Sequence, residues 1–257
     1  MPGSDLTLLI EAARRAGEIA TAHHGGPLDV RMKAHDNSPV TKADLAVNVA
    51  LESFLRAARP DYGWLSEESP DTDDRLSAER VFVLDPIDGT RSYADGSDTW
   101  AHSIAVVEAG RPRTAVVYLP MKDRMYIATR GGGARLNGVP LRAAQTAEPD
   151  GASLLATRHS LDTQHWPGGV PDMHRSHRPS LAYRLCLVAE GRYDAMVTFR
   201  PAWEWDIAAG ALIMAEAGAT VTDPQGRSLH FNNRHPQTPG VLAANPTLHA
   251  ALLKRML

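Results

Sequence analysis

The sequence predicts an α+β first half followed by an α/β second half, and three observations lead there. Two amphipathic segments precede any strand pattern, short apolar runs punctuated by turn residues fill positions 63–129, and beyond Asp150 strand-like and helix-like segments alternate. The division falls at 150, with an N-terminal α+β subdomain over 1–150 and a C-terminal α/β subdomain over 151–257.

The first helix is expected from about Leu6 to His23, with Asp5, Glu11, Arg14 and Arg15 set into its amphipathic pattern. Those charges leave no apolar core of the kind a signal peptide needs. A second helix follows from about Thr41 to Ala58, where Thr41 and Asp44 have capping-box spacing and Leu45, Val49, Leu51 and Leu55 form the apolar side. Strands come next at Gly63–Leu65, Val81–Leu84, Ser103–Glu108, Thr114–Tyr118 and Met125–Thr129, with Gly110-Arg111-Pro112 and Lys122-Asp123 as hairpin turns. The second half reads as a strand (Leu154–Thr157), a loop over Asp162–Arg178, a helix (Leu181–Ala189), a strand (Ala195–Phe199) and a helix (Asp206–Ala217). Two more strands (Thr220–Thr222, Gly240–Ala243) and a last helix (Thr247–Met256) complete it.

At 257 residues the chain is long enough for one compact unit with a sizeable core, and 43% hydrophobic with 22% charged residues is ordinary for a water-soluble enzyme. A formal net charge of −3 with scattered basic residues offers no footprint for a nucleic-acid duplex. No apolar run reaches membrane-spanning length. The single Cys186 cannot pair internally and reads as a small buried residue, so the expected compartment is the reducing cytoplasm.

The chemistry concentrates in Asp85-Pro86-Ile87-Asp88-Gly89-Thr90, which follows the apolar run Val81–Leu84 and sets two carboxylates three residues apart at a strand end. That suits a hard metal ion. Pro86 is expected to end the ladder, and Asp88-Gly89 is turn chemistry, so taken alone the hexapeptide also has a plainer reading as a tight turn. Other acids answer it: Glu67-Glu68 after Trp64-Leu65-Ser66, Asp206 in Trp205-Asp206-Ile207-Ala208-Ala209-Gly210, and Asp44. Each has a plainer reading as solvated surface, a helix-dipole charge or a capping residue.

Together, in this order, the four segments resemble the signature of the inositol monophosphatase superfamily of magnesium-dependent, lithium-sensitive phosphatases. Gly131–Gly138 resembles the family's glycine-rich hairpin, and Cys186–Gly191 a following helix end. The resemblance implies a layered αβαβα sandwich of the inositol monophosphatase and fructose-1,6-bisphosphatase type. It places most metal ligands in 1–150 and Asp206 with the substrate contacts in 151–257. It assigns Glu67, Asp85 and the Ile87 carbonyl to one Mg²⁺, and Asp85, Asp88 and Asp206 to a second, with Glu67 reaching a third, weaker ion. Magnesium prefers such oxygen ligands and keeps several waters, and paired ions can clamp both oxygens of an in-line displacement. The resemblance further implies a metal-activated water as nucleophile, oriented by Thr90 with Asp44 accepting from the Thr90 hydroxyl. Backbone N–H groups of Gly89 and Thr90 would hold the phosphate. A small phosphorylated substrate and a homodimer are the implied partners.

Within the superfamily, Leu65–Glu68, Ser180–Gly191 and Trp203–Asp206 are most similar to the CysQ-type 3′(2′),5′-bisphosphate nucleotidases, which implies hydrolysis of adenosine 3′,5′-bisphosphate. Inositol monophosphatases carry a Glu seven residues before the Asp of the Trp-Asp pair, where this chain has Phe199. Arg184 stands where the nucleotidases commonly have Lys, and it reads as a contact to a second phosphate or as a helix-surface charge. Leu181-Ala182 depart from the subgroup's paired serines. Inositol phosphate, histidinol phosphate and sugar phosphates therefore stay open as substrates, as does a catalytically idle role through protein contact. His174 and His177 read as solvated rather than metal-ligating.

Overall fold

A computed structural model of the chain describes residues 4–26, 29–33 and 38–257. Helix α1 (Asp5–His23) starts at Ser4, whose hydroxyl accepts from the Thr7 N–H. Strands β1 (Arg31–Met32) and β2 (Pro39–Val40) pair antiparallel. Helix α2 (Lys42–Ala58) opens on a complete capping box between Thr41 and Asp44. Then come β3 (Gly63–Ser66), β4 (Arg80–Asp88), the short α3 (Thr90–Ala94), β5 (Ala101–Glu108) and β6 (Arg111–Leu119). Strands β7 (Arg124–Thr129), β8 (Gly133–Leu136) and β9 (Val139–Pro140) complete a seven-stranded sheet in sequence order, parallel at β3–β4 and antiparallel elsewhere.

The remainder runs β10 (Ser153–Leu155), β11 (His174–Ser176), α4 (Leu181–Ala189), β12 (Ala195–Thr198), β13 (Ala202–Trp203), α5 (Glu204–Glu216), β14 (Thr220–Thr222), β15 (Gln237–Thr238), β16 (Val241–Ala244) and α6 (Pro246–Met256). Five of these strands form a mixed sheet in the order β11-β10-β12-β16-β14, while β13 and β15 make a separate pair.

Alternation along the strands stacks these sheets into layers. Phe82 and Leu84 of β4 face a core shared with Leu9 and Ala13 of α1 and Val47 and Leu51 of α2, while Val81 and Val83 face the opposite way into a core with α4 and α5. Met196, Val241 and Ala243 of the second sheet close that middle core, and Val197, Leu242 and Ala244 turn outward to Leu248 and Leu252 of α6. The result is helix, sheet, helix, sheet, helix. Among the described residues no helix is long and apolar enough to cross a membrane.

Five expectations need correction. Pro86 does not end the ladder: β4 pairs with β5 at Asp85 and again at Asp88, and a bulge between them absorbs the missing proline donor. The β5–β6 turn is Ala109-Gly110, both at positive φ (48° and 73°), so Arg111 and Pro112 lie in the strand. Leu45 and Val49 are 44% and 67% exposed; the buried face of α2 is Ala43, Val47, Leu51 and Leu55, whose i, i+4 spacing outweighed residue size. The segment Asp162–Arg178 contains an edge strand, β11, held by parallel pairing to β10. Fifth, Phe199 faces away from the cleft, as described below.

Candidate active site

The catalytic candidates collect where β3 and β4 end side by side. Parallel pairing runs to Ser66 and Leu84, and the Glu67 N–H donates to the Leu84 carbonyl at 3.3 Å, so Glu67 emerges beside Asp85. Ser66 is held by its hydroxyl on Asn48 Oδ1 at 2.7 Å. Within the bulge, Asp85 Oδ1 accepts from the Ile87 N–H at 2.8 Å. The chain then reverses at Gly89, whose φ of 103° disfavours any side chain, and enters α3 at Thr90. The Thr90 hydroxyl lies 3.2 Å from Asp44 Oδ1 and 3.1 Å from the Ile87 carbonyl. Asp44 Oδ2 accepts from the Thr41 N–H and hydroxyl. Asp44 thus caps its own helix with one oxygen and meets Thr90 with the other.

The fourth carboxylate comes from the other side of the middle core. Gly210 lets α5 approach α4 closely, since a Cβ there would stand 2.6 Å from Leu185 Cδ1. Glu204 anchors the start of α5, accepting from the Asn232 and Asn233 N–H groups. This sets Asp206 in the first turn, with oxygens of Glu67, Asp85 and Asp206 all within 4.8 Å of one another. Asp88 lines the same cleft, but its Oδ2 is already bonded by the Ser180 hydroxyl and the Ala182 N–H, each at 2.6 Å.

Crowding acids out of water has a clear electrostatic signature. Burial, and then the neighbouring carboxylates, push Asp85 and Asp206 well above the usual carboxylate range. Burial raises Asp88 to about 6 against the Ser180 and Ala182 hydrogen bonds, and Asp44 to about 6 against those from Thr41. Lys33 supplies part of the missing countercharge, its Nζ 2.7 Å from both Glu67 Oε1 and Glu68 Oε1. Nothing in its neighbourhood singles Lys33 out in the sequence. The all-oxygen donor set and the mutual repulsion of its members fit a hard divalent cation.

These carboxylates stand in a cleft of about 820 Å³ that Arg91, Arg184, Arg200, His177, Trp203 and Trp205 also line. Arg184 is only 8% exposed, so its reading as a surface charge fails; Nη2 reaches His177 Nε2 and the Pro179 carbonyl, Nε donates to the Arg178 carbonyl, and Nη1 has no partner among the described residues. Phe199 stacks on His165 at 4.0 Å and edges Trp166, packed with the outer core. Its flanking residues Thr198 and Arg200 face the cleft instead. Strand alternation through β12 was the signal for this. Ser180 and Arg200 were also missed as neighbours of the site. His174 is an exposed edge residue, and Cys186 is buried with its thiol pushed up by that burial.

A layered sandwich with an oxygen-rich acidic cleft at the ends of its first sheet's strands is the architecture of a metal-dependent phosphatase. The chain belongs to the inositol monophosphatase family, whose pattern it matches over residues 4–256. It is 32% identical to the Nus factor SuhB of Salmonella typhimurium over 268 residues, covering 98% of this chain and 95% of that one. It is 33% identical to the 3′(2′),5′-bisphosphate nucleotidase CysQ of Shigella flexneri over 234 residues, covering 89% and 94%. Among solved structures, the Thermotoga maritima IMPase superposes with a TM-score of 0.84 at 27% identity, covering 98% of this chain and 96% of that one. The fold is of the inositol monophosphatase type, and the chain is a phosphatase of a family in which magnesium dependence is typical.

Proposed function

We propose that the chain hydrolyses phosphate monoesters carrying a second anionic group, with 3′(2′),5′-bisphosphate nucleotides such as adenosine 3′,5′-bisphosphate preferred. The observation that carries this reading is the pairing, in one cleft, of the carboxylate cluster with Arg184 and Arg200. A metal-loaded acid cluster takes one phosphate, and guanidinium groups suit the other. Similarity to the CysQ nucleotidases points the same way.

In this reading Glu67, Asp85 and the Ile87 carbonyl hold one Mg²⁺, Asp85, Asp88 and Asp206 a second, and Glu67 contributes to a third. When bound, magnesium supplies positive charge that acidifies water and neutralises the phosphate. The protein's part is positioning. Asp44 keeps the Thr90 hydroxyl turned toward its carboxylate, which leaves the Thr90 lone pairs to accept from the attacking water. Gly89 and Thr90 N–H groups, at the start of α3, hold a phosphate oxygen. Asp88, fixed by Ser180 and Ala182, keeps its second oxygen for the cation. A homodimer in the cytoplasm is the accompanying expectation.

The test is phosphate release, with magnesium, from a panel of adenosine 3′,5′-bisphosphate, inositol 1-phosphate, fructose 1,6-bisphosphate and histidinol phosphate. The bisphosphate nucleotide should exceed inositol 1-phosphate in kcat/KM by at least ~10-fold, about 1.4 kcal/mol, and Arg184→Ala should narrow that gap. Preference for inositol 1-phosphate overturns the substrate assignment. A second reading, contact with a protein partner, draws on the relatives named Nus factor. Absence of turnover on the whole panel would favour it.

A further inference from the structure

A separate cavity of about 270 Å³ lies behind the segment that walls the cleft. Along 177–187 the residues divide: His177, Pro179, Leu181 and Arg184 face the cleft, whereas Arg178, Tyr183 and Leu187 face this second cavity. Lys122, Arg124 and Arg192 line it from other elements, bringing four cations together. Two have carboxylate partners, Lys122 with Asp98 at 2.6 Å and Arg124 with Glu190. The other two do not. Arg178 donates to the His177 carbonyl at 2.7 Å and to the Tyr193 hydroxyl at 3.0 Å, and Arg192 has no ion-pair partner among the described residues. An excess of positive charge remains in this polar pocket.

Tyr183 supplies an independent sign. Its side chain is buried to all but 5%, it lines the cavity, and its hydroxyl has no hydrogen-bond partner among the described residues. That hydroxyl is free to donate to a bound oxyanion. Guanidinium forks and a phenol donor together match the oxygens of a tetrahedral anion.

We propose that this cavity is a second anion site, taking a small tetrahedral oxyanion such as sulfate or inorganic phosphate beside the catalytic cleft. The two sites share one segment of backbone, because the Arg178 carbonyl that carries this cation on one side accepts from Arg184 on the other.

Equilibrium dialysis of the full chain with labelled sulfate tests it, once with magnesium and once with excess chelator. Chelator removes the cation from the catalytic cleft and Arg200→Ala removes one of its guanidinium groups, so sulfate that stays bound under both conditions reports the second site. A single equivalent of sulfate should stay bound in chelator. Arg192→Glu and Arg178→Gln should each weaken that binding by about tenfold or more, as expected for losing a charge-assisted contact, while the distant Arg135→Gln should not. Arg192 is exposed, so its variant should keep the wild-type melting temperature. Sulfate binding that vanishes with chelator belongs to the cleft and overturns the proposal. So does binding unchanged in both variants, or saturation only at molar salt, which would mean an adventitious ion only. A change of oligomeric size in Arg192→Glu without loss of sulfate would assign the cavity to a second copy of the chain instead.

Discussion

Asp44 makes two separate contacts through its two carboxylate oxygens. Its Oδ2 completes the capping box with Thr41, and its Oδ1 lies 3.2 Å from the Thr90 hydroxyl. If the pair orients the attacking water as a unit, Thr90→Ala and Asp44→Asn should each cost roughly 10²–10⁴ in kcat, and the double variant little more than the worse single one. Steady-state kinetics on the three variants decides this; multiplicative losses would leave Asp44 as a cap only. Asp88 and Asp206 carry a simpler expectation. Asp88→Asn or Asp206→Asn should lower kcat by at least ~10³, about 4 kcal/mol, because each is proposed to hold the cation that meets developing charge. Circular dichroism should show both variants folded, and a near-wild-type rate in either would remove that residue from the ligand set.

The bulge between β4 and β5 is the element on which the site turns. It carries the Asp85-to-Asp88 segment out of register, and His102, fully buried on β5, holds it by its Nδ1 on the Pro86 carbonyl at 2.5 Å. Burial lowers the His102 pKa to about 4, so the folded chain keeps this ring neutral. An unfolded histidine titrates near 6.5, so between these values the unfolded chain binds more protons. Its contribution is therefore whole above about pH 6.5 and lost as pH falls through about 4, up to roughly 3 kcal/mol. In magnesium buffer, His102→Gln should lose less stability than wild type between pH 7 and pH 4.5, measured by urea unfolding. Its kcat should also fall, because the Pro86 carbonyl loses its anchor. Equal pH slopes would show that His102 does not govern the acid limb.

At the scale of the molecule, the acid cluster joins two layers. Glu67, Asp85 and Asp88 come from the first sheet's strand ends, and Asp206 from the helix packed beneath it. The metal-free chain stabilises their protonated forms: with Asp88 raised to about 6, and Asp85 and Asp206 also raised well above their ordinary range, the folded state binds more protons at these three carboxylates than the unfolded one above about pH 4. That stability is greatest below the unfolded pKa and is lost as pH rises through about 6. A cation that replaces the protons reverses the trend. The melting-temperature gain from magnesium should therefore grow between pH 5 and pH 8 and shrink in Asp206→Asn. Differential scanning fluorimetry with and without chelator measures it, and a gain independent of pH would separate metal binding from these acids.

Local signals in the sequence were enough for most elements: the capping box before α2, the apolar run of β4, and the turn at Asp88-Gly89 are properties of neighbouring residues. Helices α1, α2 and α4 and strand β14 were legible for that reason. The family motifs likewise named the acids that the structure brings to one cleft. What depended on distant packing was not legible. The strand's passage through Pro86 needed β5 alongside it, and the burial of Val47 rather than Val49 was decided by the sheet beneath α2. Alternation through β12 turned Phe199 to the outer core and gave the cleft to Arg200. Lys33 meets Glu67 across 34 residues of chain, and Ser180 meets Asp88 across 92. Residue type and spacing determined which groups this chain has for phosphate chemistry, whereas only the stacking of two sheets about a shared helical layer decided which of them meet. Long-range contacts of that kind leave no periodicity in the sequence.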